Sequence, residues 1–149
     1  MTAFLGKNYY QTHDEEDTFY LARDFALNLK GGEIILLNGE LGVGKTVFTR
    51  GIADRLGIKE SITSPTFTIM NCYEGETLKL CHIDAYRLKS GLEAYETGIT
   101  EYFGQEDTVC CIEWSQNIAD AILGKVIKVN MRYSPKNQEY REIKIKYDE

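Results

Sequence analysis

Between Asp14 and Lys30 the apolar side chains fall at Phe19, Ala22, Phe25, Ala26 and Leu29, the spacing that lines one face of a helix. Asp14 offers a capping carboxylate at its start, and Gly31-Gly32 stops it. The pattern then changes to the continuous apolar run "EIILLNGE", which predicts a buried strand. Helical spacing returns from Lys45 to Leu56 and ends at Gly57. "TFTIMNCY" and "TLKLCHID" are alternating or β-rich on either side of "EGE", and predict two antiparallel strands. Gly91 to Tyr102 is mixed and predicts one or two short helices. "TVCCIEW" predicts another buried strand, and Ser115 to Leu123 a capped helix. "KVIKVNMRY" and "REIKIKYD" alternate around "SPKNQE", a closing hairpin. Alternating helices and apolar strands predict an α/β domain with a mixed, mainly parallel central sheet and antiparallel hairpins at its edge.

One stretch brings chemistry into this pattern. "GELGVGKT", Gly39 to Thr46, has the G-x-x-x-x-G-K-[ST] spacing of a phosphate-binding loop, and it lies between a predicted strand and a predicted helix. Gly39, Gly42 and Gly44 let backbone N–H groups turn inward without Cβ clashes. Lys45 is placed to meet the β- and γ-phosphates of a nucleotide, and Thr46 to hold Mg²⁺ through its hydroxyl. Glu40, Leu41 and Val43 complete the loop around the phosphates, with no special side-chain role for Leu41 or Val43. The expected architecture is therefore a single P-loop NTPase-like domain over residues 1–149.

A Mg²⁺ site needs an acidic partner, usually at the end of a neighbouring strand. "LCHIDAYR" ends a strand at Asp84, and "VCCIEW" ends one at Glu113. Either acid suits the metal, with the other positioning the attacking water; an acid capping the next turn is the plain alternative for each. "TSPTFTI" adds a third feature. Pro65 holds Ser64 out of helical geometry, and Thr66 follows on a turn, where a hydroxyl can sense Mg²⁺ or the γ-phosphate. Arg87 is a charge stabiliser, a partner contact or a solvated arginine. Trp114, the only tryptophan, adjoins Glu113 and is either core or a contact beside the site.

Composition narrows the classes. The chain of 149 residues is 43% hydrophobic and 27% charged, an ordinary globular balance. The polar start "MTAFLGKNYY" is no signal peptide, and no apolar run approaches the ~20 residues that span a bilayer. A cytoplasmic protein without a membrane segment is expected. A formal net charge of −6 disfavours non-specific nucleic-acid binding, which needs a basic face. Cys72, Cys81, Cys110 and Cys111 form no C-x-x-C pair and are expected to be buried, reduced thiols.

The remaining question is which nucleotide enzyme this is. No N-K-x-D segment selects guanine, and the D-x-x-G at Asp54 to Gly57 lies inside the helix after the loop. The arginines are few and scattered, unlike the lid of a small-molecule kinase. In combination, "GELGVGKT", "SPTF", "HIDAYRL" and "IEW", in this order and at these separations, closely resemble the TsaE family (formerly YjeE), small bacterial P-loop ATPases. The resemblance runs from about Leu29 to Trp114. Glu40 stands where the family commonly has aspartate, which conserves the charge.

The resemblance implies an ATPase with ATP and Mg²⁺ as cofactors. Its pathway makes N6-threonylcarbamoyladenosine (t6A) at position 37 of tRNAs that read ANN codons. In it the ATPase associates with the TsaB–TsaD pair, supports its repeated cycles, and meets tRNA only through those partners. It further implies Thr46 and Glu113 as Mg²⁺ ligands, Asp84 as the other key acid, and Ser64 to Phe67 as a switch-like segment. Adenine contacts are implied near the N-terminus and in the C-terminal hairpin, where Thr12 and Arg141 are the residues assigned. A small-molecule kinase and a nucleotide-dependent scaffold without essential turnover are the alternatives.

Overall fold

The loop after "EIILLN" sits at the carboxyl edge of a parallel sheet centre, and the order of the strands explains why. A computed structural model describes residues 1–65 and 68–148. Its strands are β1 (Ala3–Gly6), β2 (Tyr9–Thr12), β3 (Glu33–Asn38), β4 (Met70–Glu74), β5 (Lys79–Asp84), β6 (Thr108–Glu113), β7 (Lys125–Tyr133) and β8 (Arg141–Tyr147). They form one sheet in the order β1-β2-β8-β7-β3-β6-β5-β4. β5, β6, β3 and β7 are parallel neighbours, whereas β4 on one side and β8, β2 and β1 on the other pair antiparallel. The carboxyl ends of β3, β5 and β6 therefore open on one edge, where ligands collect in such sheets.

Helices α1 (Glu15–Ala26) and α2 (Lys45–Arg55) cover one face. Their apolar stripes meet Ile35, Leu37, Leu80, Val109, Val129 and Ile143. They approach closely at Gly51, where an added Cβ would lie 2.4 Å from the Phe19 carbonyl oxygen and 2.5 Å from the Ala22 Cβ. The short helix α3 (Gly91–Thr97) and two 3-10 segments, Ile99–Tyr102 and Ser115–Ala121, cover the other face over Ile34, Leu36, Cys81, Ile83 and Ile112. No helix among the described residues is long and apolar enough to cross a membrane.

Two expectations need correction, and one element is additional to those expected. Ser115–Ala121 is not a capped α-helix: it is 3-10, has no side-chain cap, and breaks at Ile118 (φ −130°, ψ 25°). So few residues after a sharp turn favour burying Ile118, which is fully enclosed, over keeping helical register. The N-terminal segment is more than a polar start, since β1 and β2 form a hairpin added to β8, turning through Asn8 in a left-handed conformation (φ 55°). Of the four free thiols, Cys72 on the edge strand is exposed and the other three are buried.

The added hairpin is pinned by one acid. The Tyr9 hydroxyl donates to Glu142 at 2.5 Å, and Arg132 donates to the same oxygen from Nε at 2.9 Å and Nη2 at 2.7 Å. The Tyr9 hydroxyl, and after it Arg132, hold the Glu142 carboxyl below its ordinary range against the upward push of burial. A carboxyl lowered in the folded state stabilises above its unfolded value, and that gain is lost as pH falls through the folded one. Glu142→Gln is therefore expected to melt a few degrees below the parent at pH 7, and the gap to close below about pH 4. Thermal melts of both proteins across pH check this; a gap that persists in acid contradicts it.

Candidate active site

The two long helices begin differently. α1 is closed by Asp14, whose side chain accepts from the Asp17 N–H at 2.8 Å, with Glu15, Glu16 and Asp17 in the first turn. α2 has Gly44 as its N-cap (φ 117°), no side-chain cap and no acid in its first turn. Its first N–H groups thus lack an internal acceptor and carry the positive end of the helix dipole, the arrangement that suits an anion. The loop before it is anchored by Val43, only 1% exposed in the core, while Leu41 at the tip is 95% exposed. Gly39 permits this path: a Cβ there would meet the Met131 carbonyl oxygen at 2.7 Å.

Lys45 is buried, and its Nζ donates to the Gly39 carbonyl at 2.9 Å and lies 3.5 Å from Glu113 Oε1. The Thr46 hydroxyl is 3.2 Å from that of Ser64. Asp84 and Glu113 are register partners on β5 and β6, so both carboxylates leave the sheet on the face that carries α2. Glu113 is buried, with His82 Nε2 2.9 Å from its Oε2. Burial alone would push its carboxyl up; the hydrogen bond from His82 and the Lys45 ammonium prevail and hold it below the ordinary range. Asp84 is half-buried, and its Oδ1 accepts from the Tyr86 N–H at 3.0 Å. A cleft of about 680 Å³ gathers Lys45, Thr46, Ser64, Asp84 and Glu113 on one lining. Hydroxyl and carboxylate oxygens are the hard donors that Mg²⁺ takes, and with an open helix start and a lysine they fit a metal–triphosphate pair.

The model of the family described as "Threonylcarbamoyl adenosine biosynthesis protein TsaE" matches residues 12–143. The chain belongs to the TsaE family. The tRNA threonylcarbamoyladenosine biosynthesis protein TsaE of Rickettsia typhi is 38% identical over 133 residues, covering 89% of this chain and 91% of that one. That of Bacillus subtilis is 39% identical over 113 residues, covering 76% and 70%. The crystal structure of YdiB from Bacillus subtilis superposes with a TM-score of 0.74 at 32% identity, over 97% of this chain and 86% of that one.

Within this TsaE chain the other expected residues divide. Arg141 lies against the loop: its Nε donates to the Val43 carbonyl at 3.1 Å, and its guanidinium sits 4.2 Å from the centre of the Tyr133 ring. It lines a second cavity of about 280 Å³ with Gly42, Gly44, Val47 and Glu139. Thr12 does not reach either cavity. It is fully buried and its hydroxyl is taken by Thr18 at 2.8 Å, so its side chain supports α1 rather than facing a ligand. Thr66 and Phe67 lie outside the described residues. Trp114 is not a core residue: it holds a left-handed backbone (φ 60°), is 40% exposed, lines the cleft, and meets the Tyr86 ring edge-on at 5.0 Å.

Sequence reading missed Arg50, Tyr86 and His82. Arg50 lines the cleft one helical turn after Thr46, and that i, i+4 spacing was the available signal. His82 precedes Asp84 by two residues, so strand alternation puts both on one face. Nothing local told that a buried acid 31 residues away would be its partner.

Proposed function

We propose that this chain is a Mg²⁺-dependent ATPase acting in the formation of t6A at position 37 of tRNAs that read ANN codons, where ATP hydrolysis supports cycling of the TsaB–TsaD complex. One observation carries this reading: the uncapped start of α2, Lys45, Thr46 and the paired acids Asp84 and Glu113 share one cleft. The names of the curated relatives supply the pathway. The loop and first-turn N–H groups bind the phosphate chain. Lys45 exchanges its contact with Gly39 for the β- and γ-phosphates. Thr46 and Glu113 are the residues that would hold Mg²⁺, which when bound neutralises charge on the phosphate oxygens. Asp84, nearer to solvent, orients the attacking water and takes up its proton. Val47, Pro65 and Ile69 line the same cleft with apolar surface, which strengthens each of these polar contacts.

The test is phosphate release from ATP by the purified chain, alone and with TsaB–TsaD. Slow turnover alone and faster turnover with the pair support the reading. Transfer of phosphate to a metabolite would make it a small-molecule kinase, and nucleotide-dependent association without turnover a scaffold.

The partner side of this reading rests on the rim. Tyr86 and Arg87 are exposed and line the cleft beside Trp114, and such aromatic and arginine side chains dominate interfaces once a partner covers them. Arg87→Ala is expected to leave ATP binding intact and to weaken association with TsaB–TsaD, or its stimulation of turnover, by about tenfold. Pull-down and coupled ATPase assays decide. Normal association with normal stimulation refutes the role, and lost ATP binding places Arg87 in the nucleotide site.

A further inference from the structure

His82 is a buried polar group bonded to a residue of the cleft, Glu113, and the proposed reaction gives it no part. It lies on β5 on the same face as Asp84, and its side chain is fully enclosed. Its cross-strand neighbour is Cys111, two residues before Glu113, so the ring and the carboxylate meet diagonally across β5 and β6. Nε2 stands 2.9 Å from Glu113 Oε2, and Nδ1 has no hydrogen-bond partner among the described residues. This asymmetry assigns the tautomer. With the proton on Nε2, the ring donates to the carboxylate and buries only a lone pair at Nδ1. The other tautomer would set a lone pair against the carboxylate.

The two oxygens of Glu113 therefore have different neighbours. Oε2 is held by the His82 ring, a donor fixed in the sheet. Oε1 lies 3.5 Å from Lys45 Nζ, a long side chain that also holds the Gly39 carbonyl. A carboxylate without the first contact is free to rotate about its last bond, a soft two-fold torsion. When Lys45 moves onto a phosphate, the histidine contact is the one that remains among the described residues to aim it.

We propose that His82 is a positioning residue: its Nε2–H clamps Oε2 of Glu113 so that Oε1 stays turned into the cleft, ready for the Mg²⁺–ATP complex. The inference rests on the nucleotide reading above and goes beyond it, because it gives a function to a buried histidine that touches neither phosphate nor metal. A fixed outer donor of this kind commonly makes a tenfold or larger difference to a metal site.

The experiment compares His82→Gln, which keeps an N–H at similar reach, with His82→Met, which fills the space without a donor. His82→Asn, whose amide stops short of Oε2, replaces the methionine variant if that one does not fold. The Mg²⁺ concentration giving half-maximal turnover should rise about tenfold in His82→Met. ATP binding measured in excess chelator should stay within about twofold, since the loop and Lys45 are untouched. His82→Gln should restore most of the loss, and His82→Met should add nothing to Glu113→Ala in the double variant. Crystal structures of the free proteins give a readout without turnover: Glu113 should keep its orientation in the parent and His82→Gln, and turn in His82→Met. Equal impairment of the glutamine and methionine variants, a parental Mg²⁺ requirement in His82→Met, or an unturned Glu113 there overturns the proposal. If the parent itself does not hydrolyse ATP, the ATPase reading fails, and the Glu113 orientations still decide the role of His82.

Discussion

Lys45→Ala should lower ATP turnover by about a hundred- to a thousandfold, the effect of removing one preorganised charge-stabilising group. Lys45 is the cation of the loop, and it is buried where its charge acts in a low effective dielectric. The same substitution should be felt without nucleotide. Lys45 donates to the Gly39 carbonyl at 2.9 Å and stands beside Glu113, so alanine leaves a loop carbonyl without its donor and a buried carboxylate with His82 alone. The expected cost is about 1–3 kcal/mol, visible as a lower melting temperature of the free protein. ATP should restore little of it, because the variant has lost affinity for the phosphates. Unchanged turnover in a folded Lys45→Ala protein would remove Lys45 from the reaction, and an unchanged melting temperature would remove its structural role.

The second large effect separates the two acids. Glu113→Ala should raise the Mg²⁺ concentration needed for half-maximal turnover by at least the ~10-fold that even an outer partner of a metal site is worth. Its carboxylate is enclosed, held below the ordinary range, and bonded to His82, features of a group kept charged and fixed. Asp84→Ala should instead lower the turnover number by about a hundred- to ten-thousandfold, the range of a general base, with nucleotide affinity nearly unchanged. Asp84 is more open and, among the described residues, its side chain accepts only the Tyr86 N–H, leaving its second oxygen for a water. Mg²⁺ titrations and ATP-binding isotherms of both variants make the distinction. A parental Mg²⁺ dependence in Glu113→Ala would overturn the ligand assignment, and the reverse pattern would exchange the two roles.

How much of this site could be read beforehand depended on how local its causes are. The phosphate loop needs only a strand, glycines at fixed intervals and a helix start, all within residues 33–56. The structure places Gly39, Gly44, Lys45 and Thr46 in that arrangement, with α2 uncapped. Asp84 and Glu113 were legible as acids ending apolar runs, because a parallel strand buried on both faces shows as such a run. Thr12 shows the opposite case: resemblance alone points a residue near the N-terminus to adenine, and the Thr12 hydroxyl is enclosed against Thr18. Ser115–Ala121 carried a capping pattern, yet the need to bury Ile118 overrode it.

By itself the sequence determined the α/β class, the closing hairpin, the loop and the two acids, since periodicity and turn chemistry act over a few residues. Only the tertiary structure decided that β5 and β6 are neighbours in the register that sets Asp84 beside Glu113. It likewise joined the N-terminal hairpin to β8, brought Arg141 against the loop, and gave His82 its partner. These are contacts between segments far apart in the chain. Strand order and register set them, and those follow from how all the apolar faces are buried together, a condition that no single stretch of sequence carries.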